Sequence, residues 1–172
     1  MALTVLLGGA RSGKSRLAVD LAIAEGAPVT FIATGEAGDA EMAERIAAHR
    51  AERPDGWTTV EAPLDLGDAL GEADAAHTVV LDCLTLWVAN SLGRGAEPKS
   101  ILQAATTAAR SAATREGLTI AISNEVGLGV VPATPLGRTY RDVLGTVNAI
   151  WVEASADAAL VVAGRLLRLE AT

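Results

Sequence analysis

The chain has 172 residues, half of them hydrophobic but only 3% aromatic, and a formal net charge of −7. That length fits one domain, residues 1–172, able to bury roughly two thirds of its unfolded surface, with a core of Ala, Val, Leu and Ile rather than rings. The acidic balance argues against a nucleic-acid partner, and so against a helicase-like motor, because backbone binding needs a basic patch to displace counterions. A single cysteine, Cys83, excludes an intrachain disulfide and points to a reducing, cytoplasmic setting; its plain reading is a small buried apolar residue. The first strand begins almost at the N-terminus, so no signal peptide is expected. No apolar run nears the roughly 18 to 20 residues of a membrane span.

Leu3–Leu7 is a short β-prone apolar run. It leads into Gly8-Gly9-Ala10-Arg11-Ser12-Gly13-Lys14-Ser15, which fits G-x-x-x-x-G-K-[ST]. A helix is expected over Arg16–Ala24, with Leu17, Leu21 and Ala24 on one face. Strand, glycine turn and helix together make a phosphate loop: the backbone turns sharply, and its N–H groups gather around phosphate oxygens at a helix N-terminus. Lys14 would reach the outer phosphates and the Ser15 hydroxyl would ligate Mg²⁺. Val29–Ala33 reads as a second strand, ending in the loop Thr34-Gly35-Glu36. Asp39 can cap a helix over Ala40–Glu52, in which Met42 and Ile46 form an apolar pair. Glu41, Arg45, His49 and Arg53 share one face of it, and Pro54 ends it. On spacing alone, His49 among arginines reads as a solvated residue.

Trp57–Glu61 is a short strand, followed by a weak helix over Leu64–Ala73. His77–Asp82 is an apolar run closing on a carboxylate, where phosphate-loop proteins place a Mg²⁺-associated acid. Asp82 as a cap for a helix over Leu84–Leu92 fits the same spacing, and His77 reads as a surface residue. After a Gly93–Pro98 connection, an Ala-rich helix runs to about Glu116 with Leu102, Ala105, Ala109 and Ala112 inward. Leu118–Ser123 is another buried strand, with Asn124 and Glu125 at its carboxyl end. The apolar loop Val126–Pro132 suggests a lid or a subunit contact. Pro135–Ser155 is helical; Arg138 and Asp142 make an ordinary surface pair, and Arg141 and Asn148 share a face. Ala158–Ala163 and Arg165–Leu169 form a closing hairpin. The expected fold is α/β: a P-loop NTPase-like (RecA-like), mostly parallel sheet flanked by helices, with a C-terminal β-hairpin. Ligands in such sheets sit at the carboxyl ends of strands, where Gly8–Ser15, Thr34–Glu36, Asp82 and Asn124–Glu125 converge.

In order along nearly the whole chain, these stretches resemble the bifunctional adenosylcobinamide kinase/adenosylcobinamide-phosphate guanylyltransferase family of cobalamin biosynthesis. The resemblance is carried by Gly8–Ser15, Ile32-Ala33-Thr34, Asp39–Ile46 leading to His49, Arg50 and Arg53-Pro54, Trp57–Glu61, Leu81–Val88, Ser123–Pro132, Arg141-Asp142 and Asn148. The Met-x-x-Arg-Ile-x-x-His segment is far more specific than the phosphate loop; the connection around Gly93–Lys99 is shorter than the family pattern.

The resemblance implies two reactions. ATP or GTP gives its γ-phosphoryl group to the aminopropanol hydroxyl of adenosylcobinamide, a corrinoid. His49 then attacks the α-phosphorus of GTP, and the bound GMP passes to the new phosphate. A neutral imidazole, with its reference pKa of about 6.5, suits that role, and Arg45 and Arg53 should disfavour its protonation. Arg45, Arg53, Arg50 and Lys14 could also stabilise phosphate charge, with Mg²⁺ held by Ser15, Asp82 and the phosphates. By resemblance, Glu61 and Thr34–Glu36 contact the guanine nucleotide, while Arg141 and Asn148 are weaker candidates for the corrinoid side or a subunit contact. Family members resemble trimers whose neighbouring chains share the site, so a homo-oligomer is expected. Two other readings stand beside this: a simple small-molecule kinase using the phosphate loop alone, and a nucleotide-dependent switch or assembly protein.

Overall fold

The structure, a computed structural model, describes residues 3–38, 40–51 and 53–170, with the side chains of Glu41, Met42, Arg45 and His49 outside that description. Its elements are β1 (Leu3–Gly8), α1 (Lys14–Glu25), β2 (Val29–Ala33), α2 (Ala40–Ala51), β3 (Thr58–Glu61), α3 (Leu66–Glu72) and β4 (Thr78–Asp82). They continue with α4 (Leu84–Gly93), α5 (Pro98–Thr114), β5 (Thr119–Asn124), α6 (Pro135–Ala154), β6 (Asp157–Val162) and β7 (Arg165–Arg168). The expected Asp39 cap, the Met42–Ile46 pair and the Glu41–Arg45–His49–Arg53 row lie, in whole or part, outside the described residues and side chains.

The seven strands are ordered β3-β2-β4-β5-β1-β6-β7. All neighbouring pairs are parallel except β6 with β7, an antiparallel hairpin. Register brings the carboxyl ends to one edge: Gly8 lies opposite Asn124 and Val161, and Ala33 lies opposite both Glu61 and Asp82. β1 sits where the strand order reverses, which opens a crevice at that edge.

Alternation along the strands divides the core into two layers. Leu3, Val5 and Leu7 of β1 face a large apolar layer shared with α3–α6, including Leu84, Trp87, Leu144 and Trp151. Leu6, Phe31, Val80, Ile120 and Ile122 face α1. The buried line of α1 is Ala18 and Ala22, with Leu17 and Leu21 half-buried beside it and Ala24 exposed. This corrects the expected Leu17–Leu21–Ala24 face by one residue: small side chains let the helix lie close on the sheet, and the leucines flank the contact. Gly26, at φ 74°, ends α1 with its N–H on Ile23 O. On α5, Ile101, Ala105, Ala108, Ala109 and Ala112 are buried, while the expected Leu102 is only half-buried.

Candidate active site

Gly13 caps α1 at φ 101°, a left-handed conformation that glycine adopts freely. The loop before it is braced from the hairpin. Gly164 N–H donates to Ser12 O at 2.8 Å, and the Gly164 Cα lies 3.6 Å from where a Gly13 side chain would begin. A Cβ on Gly8 would meet Val161 O at 2.3 Å, so strand β6 fits against the loop only because Gly8 has no side chain. Sequence reading missed this brace; the small Ala163-Gly164 turn between two apolar runs was its one local sign.

Lys14 is 7% exposed, and its Nζ donates to Gly9 O at 2.7 Å. Burial lowers its pKa from the ordinary value, opposed by the nearby Cys83 and Asp82. Burial also pushes the Cys83 thiol up to about 11. Ser15 and Asp82 are half-buried on this edge. Ser12 Oγ is buried and finds no hydrogen-bond partner among the described residues.

Thr34 is fully buried, its hydroxyl on the main chain of Cys83 at 2.7 Å and its N–H on Asp82 O at 3.1 Å. Its side chain therefore braces the ends of β2 and β4 rather than facing solvent. Asn90 Nδ2 holds Thr34 O at 2.8 Å. Glu36 leaves the same edge and pairs with Arg94 at 2.6 Å, a partner that no local pattern announced.

Just beyond α2, Arg53 stacks its guanidinium over Phe31, 3.4 Å from the ring centroid, and Nη1 donates to Thr59 Oγ1 at 3.3 Å. Phe31 in turn stacks on Trp57, with centroids 6.4 Å apart. Burial lowers the Arg53 pKa, while Asp82 works the other way. Arg50 donates to Glu61 Oε1 at 3.0 Å, both side chains largely exposed. Arg50, Arg53, Trp57 and Thr59 line a cleft of about 340 Å³ beside this pair. His49 occupies α2 one residue before Arg50.

Three expectations are corrected. His77 is half-buried, not a plain surface residue, with Nδ1 at 3.0 Å from Thr30 Oγ1. Arg138 does not pair with Asp142: its Nη1 donates to Pro132 O at 3.0 Å and Ala133 O at 2.9 Å, and Asp142 takes Arg141 instead. Asn148 is 4% exposed and donates to Asn124 O at 3.1 Å, so its side chain fixes the end of β5 from within rather than offering itself to a large substrate or a subunit. Thr85 completes that end by accepting Asn124 N–H at 2.7 Å.

No helix among the described residues is long and apolar enough to cross a membrane. Among solved structures, a Pyrococcus horikoshii protein superposes with a TM-score of 0.59 at 6% identity, over 97% of this chain and 85% of its own. An ATPase of a bacterial type III secretion system gives 0.52 at 13% identity, over 92% of this chain and 51% of its own. At such identities the likeness is one of fold. Sequence similarity goes further. A Pseudomonas aeruginosa "bifunctional adenosylcobalamin biosynthesis protein CobP" is 44% identical over 93% of this chain and 92% of its own. An Escherichia coli "bifunctional adenosylcobalamin biosynthesis protein CobU" is 37% identical over 93% and 95%. The family model described as "Cobinamide kinase / cobinamide phosphate guanyltransferase" matches residues 4–169. With a match of that extent, the chain belongs to the cobinamide kinase / cobinamide phosphate guanyltransferase family.

Proposed function

We propose that this chain phosphorylates adenosylcobinamide with ATP or GTP and then transfers GMP from GTP to the product, giving adenosylcobinamide-GDP. The observation that carries the reading is a juxtaposition. Lys14 and the buried Ser12 hydroxyl, which follow β1, and Asp82, at the end of β4, lie at the carboxyl edge of one sheet. Arg53, four residues past His49, stacks on Phe31 of β2, two residues before Ala33, which Asp82 opposes in register.

In the first reaction the phosphate-loop amides and Lys14 hold the triphosphate, and Ser12 Oγ gains in a phosphate oxygen the partner it otherwise lacks. The acceptor hydroxyl oxygen bonds the γ-phosphorus, the bond to the bridging oxygen breaks, and the proton passes to solvent. Lys14 gains its function by leaving Gly9 O for the nucleotide, and its charge offsets the charge building on the leaving diphosphate. The donor set fits Mg²⁺: one hydroxyl, Ser15, and one carboxylate, Asp82, leave room for phosphate oxygens and water, as this ion prefers. When bound, it would neutralise phosphate charge.

In the second reaction the His49 ring nitrogen bonds the α-phosphorus of GTP and pyrophosphate leaves. An oxygen of adenosylcobinamide phosphate then displaces the ring, restoring free His49. Arg50 and Arg53 offset charge on the transferred group, with Glu61 holding Arg50 or receiving guanine N–H groups once Arg50 turns to phosphate. Gly35 and Glu36 are candidate nucleotide contacts, whereas the Thr34 side chain supports them from below. Homo-oligomerisation, as trimers that share the site, belongs to the same reading.

The test supplies adenosylcobinamide and ATP, then GTP, and follows products by mass spectrometry. The reading expects a phosphate adduct first and a GDP adduct only after GTP. A phosphate adduct with no GDP adduct would reduce the protein to a simple kinase.

A further inference from the structure

The loop between β5 and α6 is held in shape yet turns apolar side chains outward. At its root Glu125 N–H donates to Gly8 O at 3.2 Å, and Glu125 Oε1 closes a turn by accepting Gly127 N–H at 2.6 Å. Val126 packs on the core. At its far end Arg138 clamps the Pro132 and Ala133 carbonyls, and Thr134 Oγ1 caps α6 by accepting Gly137 N–H at 3.1 Å. Between these anchors Leu128 is 83% exposed, Val130 96% and Val131 60%, with Leu136 at 64% beside them. A segment fixed at both ends that presents four large apolar side chains to water is a preformed contact surface.

We propose that this surface seats the corrin macrocycle of the acceptor. The inference rests on the activity proposed above and names the part of the site that takes the ring. Three observations select this occupant. The loop starts at the phosphate loop itself, since Gly8 pairs with Asn124 in register, so a ring resting on it keeps its aminopropanol arm near the transferred phosphoryl group. It also lies on the correct flank. Lys14 follows β1 and Asp82 ends β4, and β5 lies between these two strands in the sheet, so the β5 loop emerges between the two groups expected to hold the outer phosphates. A second group of exposed apolar side chains, Val162, Leu166 and Leu167 of the hairpin, lies on the side of β1 opposite to β5 and β4. Finally, adenosylcobinamide is a net cation with a methyl-rich rim, which suits a chain of net charge −7.

The experiment uses the full chain and a triple variant, Leu128→Ser, Val130→Ser and Val131→Ser, with the single variant Val130→Asp alongside. These side chains are exposed, so folding, checked by circular dichroism, is expected to survive. Phosphorylation kinetics, sedimentation and equilibrium dialysis of cyanocobinamide are measured together. The expected result is a KM for adenosylcobinamide raised about tenfold or more, weaker cyanocobinamide retention, kcat and the ATP KM within about twofold, and unchanged sedimentation. An unchanged corrinoid KM with unchanged dialysis would overturn the proposal. So would a raised KM accompanied by altered sedimentation, which makes the loop a subunit contact. If the wild-type chain binds cyanocobinamide through this loop but phosphorylates nothing, the loop assignment stands and the activity reading fails. If the wild type binds no corrinoid at all, both fail.

Discussion

At the centre of the sheet, the phosphate loop leaves β1 between two parallel neighbours and is tied to the hairpin through Gly164 and Val161. At the sheet's edge, Arg50 and Glu61 meet across solvent, and Arg53 reaches back over Phe31. The centre is held by main-chain contacts that, at Gly8, leave no room for an added atom. The edge is held by an exposed ion pair worth at most about 1 kcal/mol and a cation–π contact worth about 0.5 to 2 kcal/mol. A triphosphate needs the first kind of support, because its cradle is backbone. A group that attacks the α-phosphorus, then carries GMP to a second acceptor, fits the second kind, where contacts can be exchanged at small cost.

Removing His49 separates these regions most sharply. His49→Ala should lower GMP retention from α-labelled GTP by more than about a thousandfold while phosphorylation of adenosylcobinamide stays within about tenfold. Lys14→Ala strikes the centre, and kcat/KM for phosphorylation should fall about a hundredfold to a thousandfold; a loss under tenfold would remove Lys14 from the chemistry. Gly8→Ala tests the brace without touching any proposed catalytic side chain. Its Cβ would lie 2.3 Å from Val161 O, and urea denaturation should show a loss of about 2 to 3 kcal/mol. At the edge, Glu61→Gln should change stability by less than about 0.5 kcal/mol and reduce GMP retention several-fold, leaving phosphorylation unaltered. The smallest effect concerns Cys83, whose thiol burial pushes up to about 11. A raised thiol pKa means less thiolate at any given pH, so alkylation should be negligible at pH 8 and rise as pH approaches 11. Rapid labelling at pH 8 in the native state would contradict the burial.

The strands and helices were legible because apolar runs alternate with Gly and Pro punctuation at almost every boundary, and Gly8–Ser15 is a local pattern with a mechanism. Contacts that join distant parts of the chain were not. Arg138 lies four residues before Asp142, a spacing that suggests a pair, but its guanidinium instead donates to two carbonyls of the preceding loop, and Asp142 takes Arg141. Asn148 looked available on a helix face because nothing in its own helix says that Asn124 O waits beneath it. Thr34 read as a loop residue at a strand end, yet its hydroxyl is consumed by Cys83, which is remote in sequence. The α1 face slipped by one position because the sheet selects alanines for close approach, whereas periodicity counts leucines. Convergence of strand ends can be read from pattern; the side-chain pairings that finish the site cannot.

The central claim is that an imidazole on α2 takes GMP from a triphosphate held by the phosphate loop. The direct measurement incubates the protein with α-labelled GTP, isolates it without acid, digests it and maps the labelled peptide. The account predicts one label, on the peptide carrying His49, stable to base, lost in mild acid as a phosphorus–nitrogen bond should be, and discharged on adding adenosylcobinamide phosphate. A label on another residue, or none retained while γ-phosphoryl transfer proceeds, would contradict it.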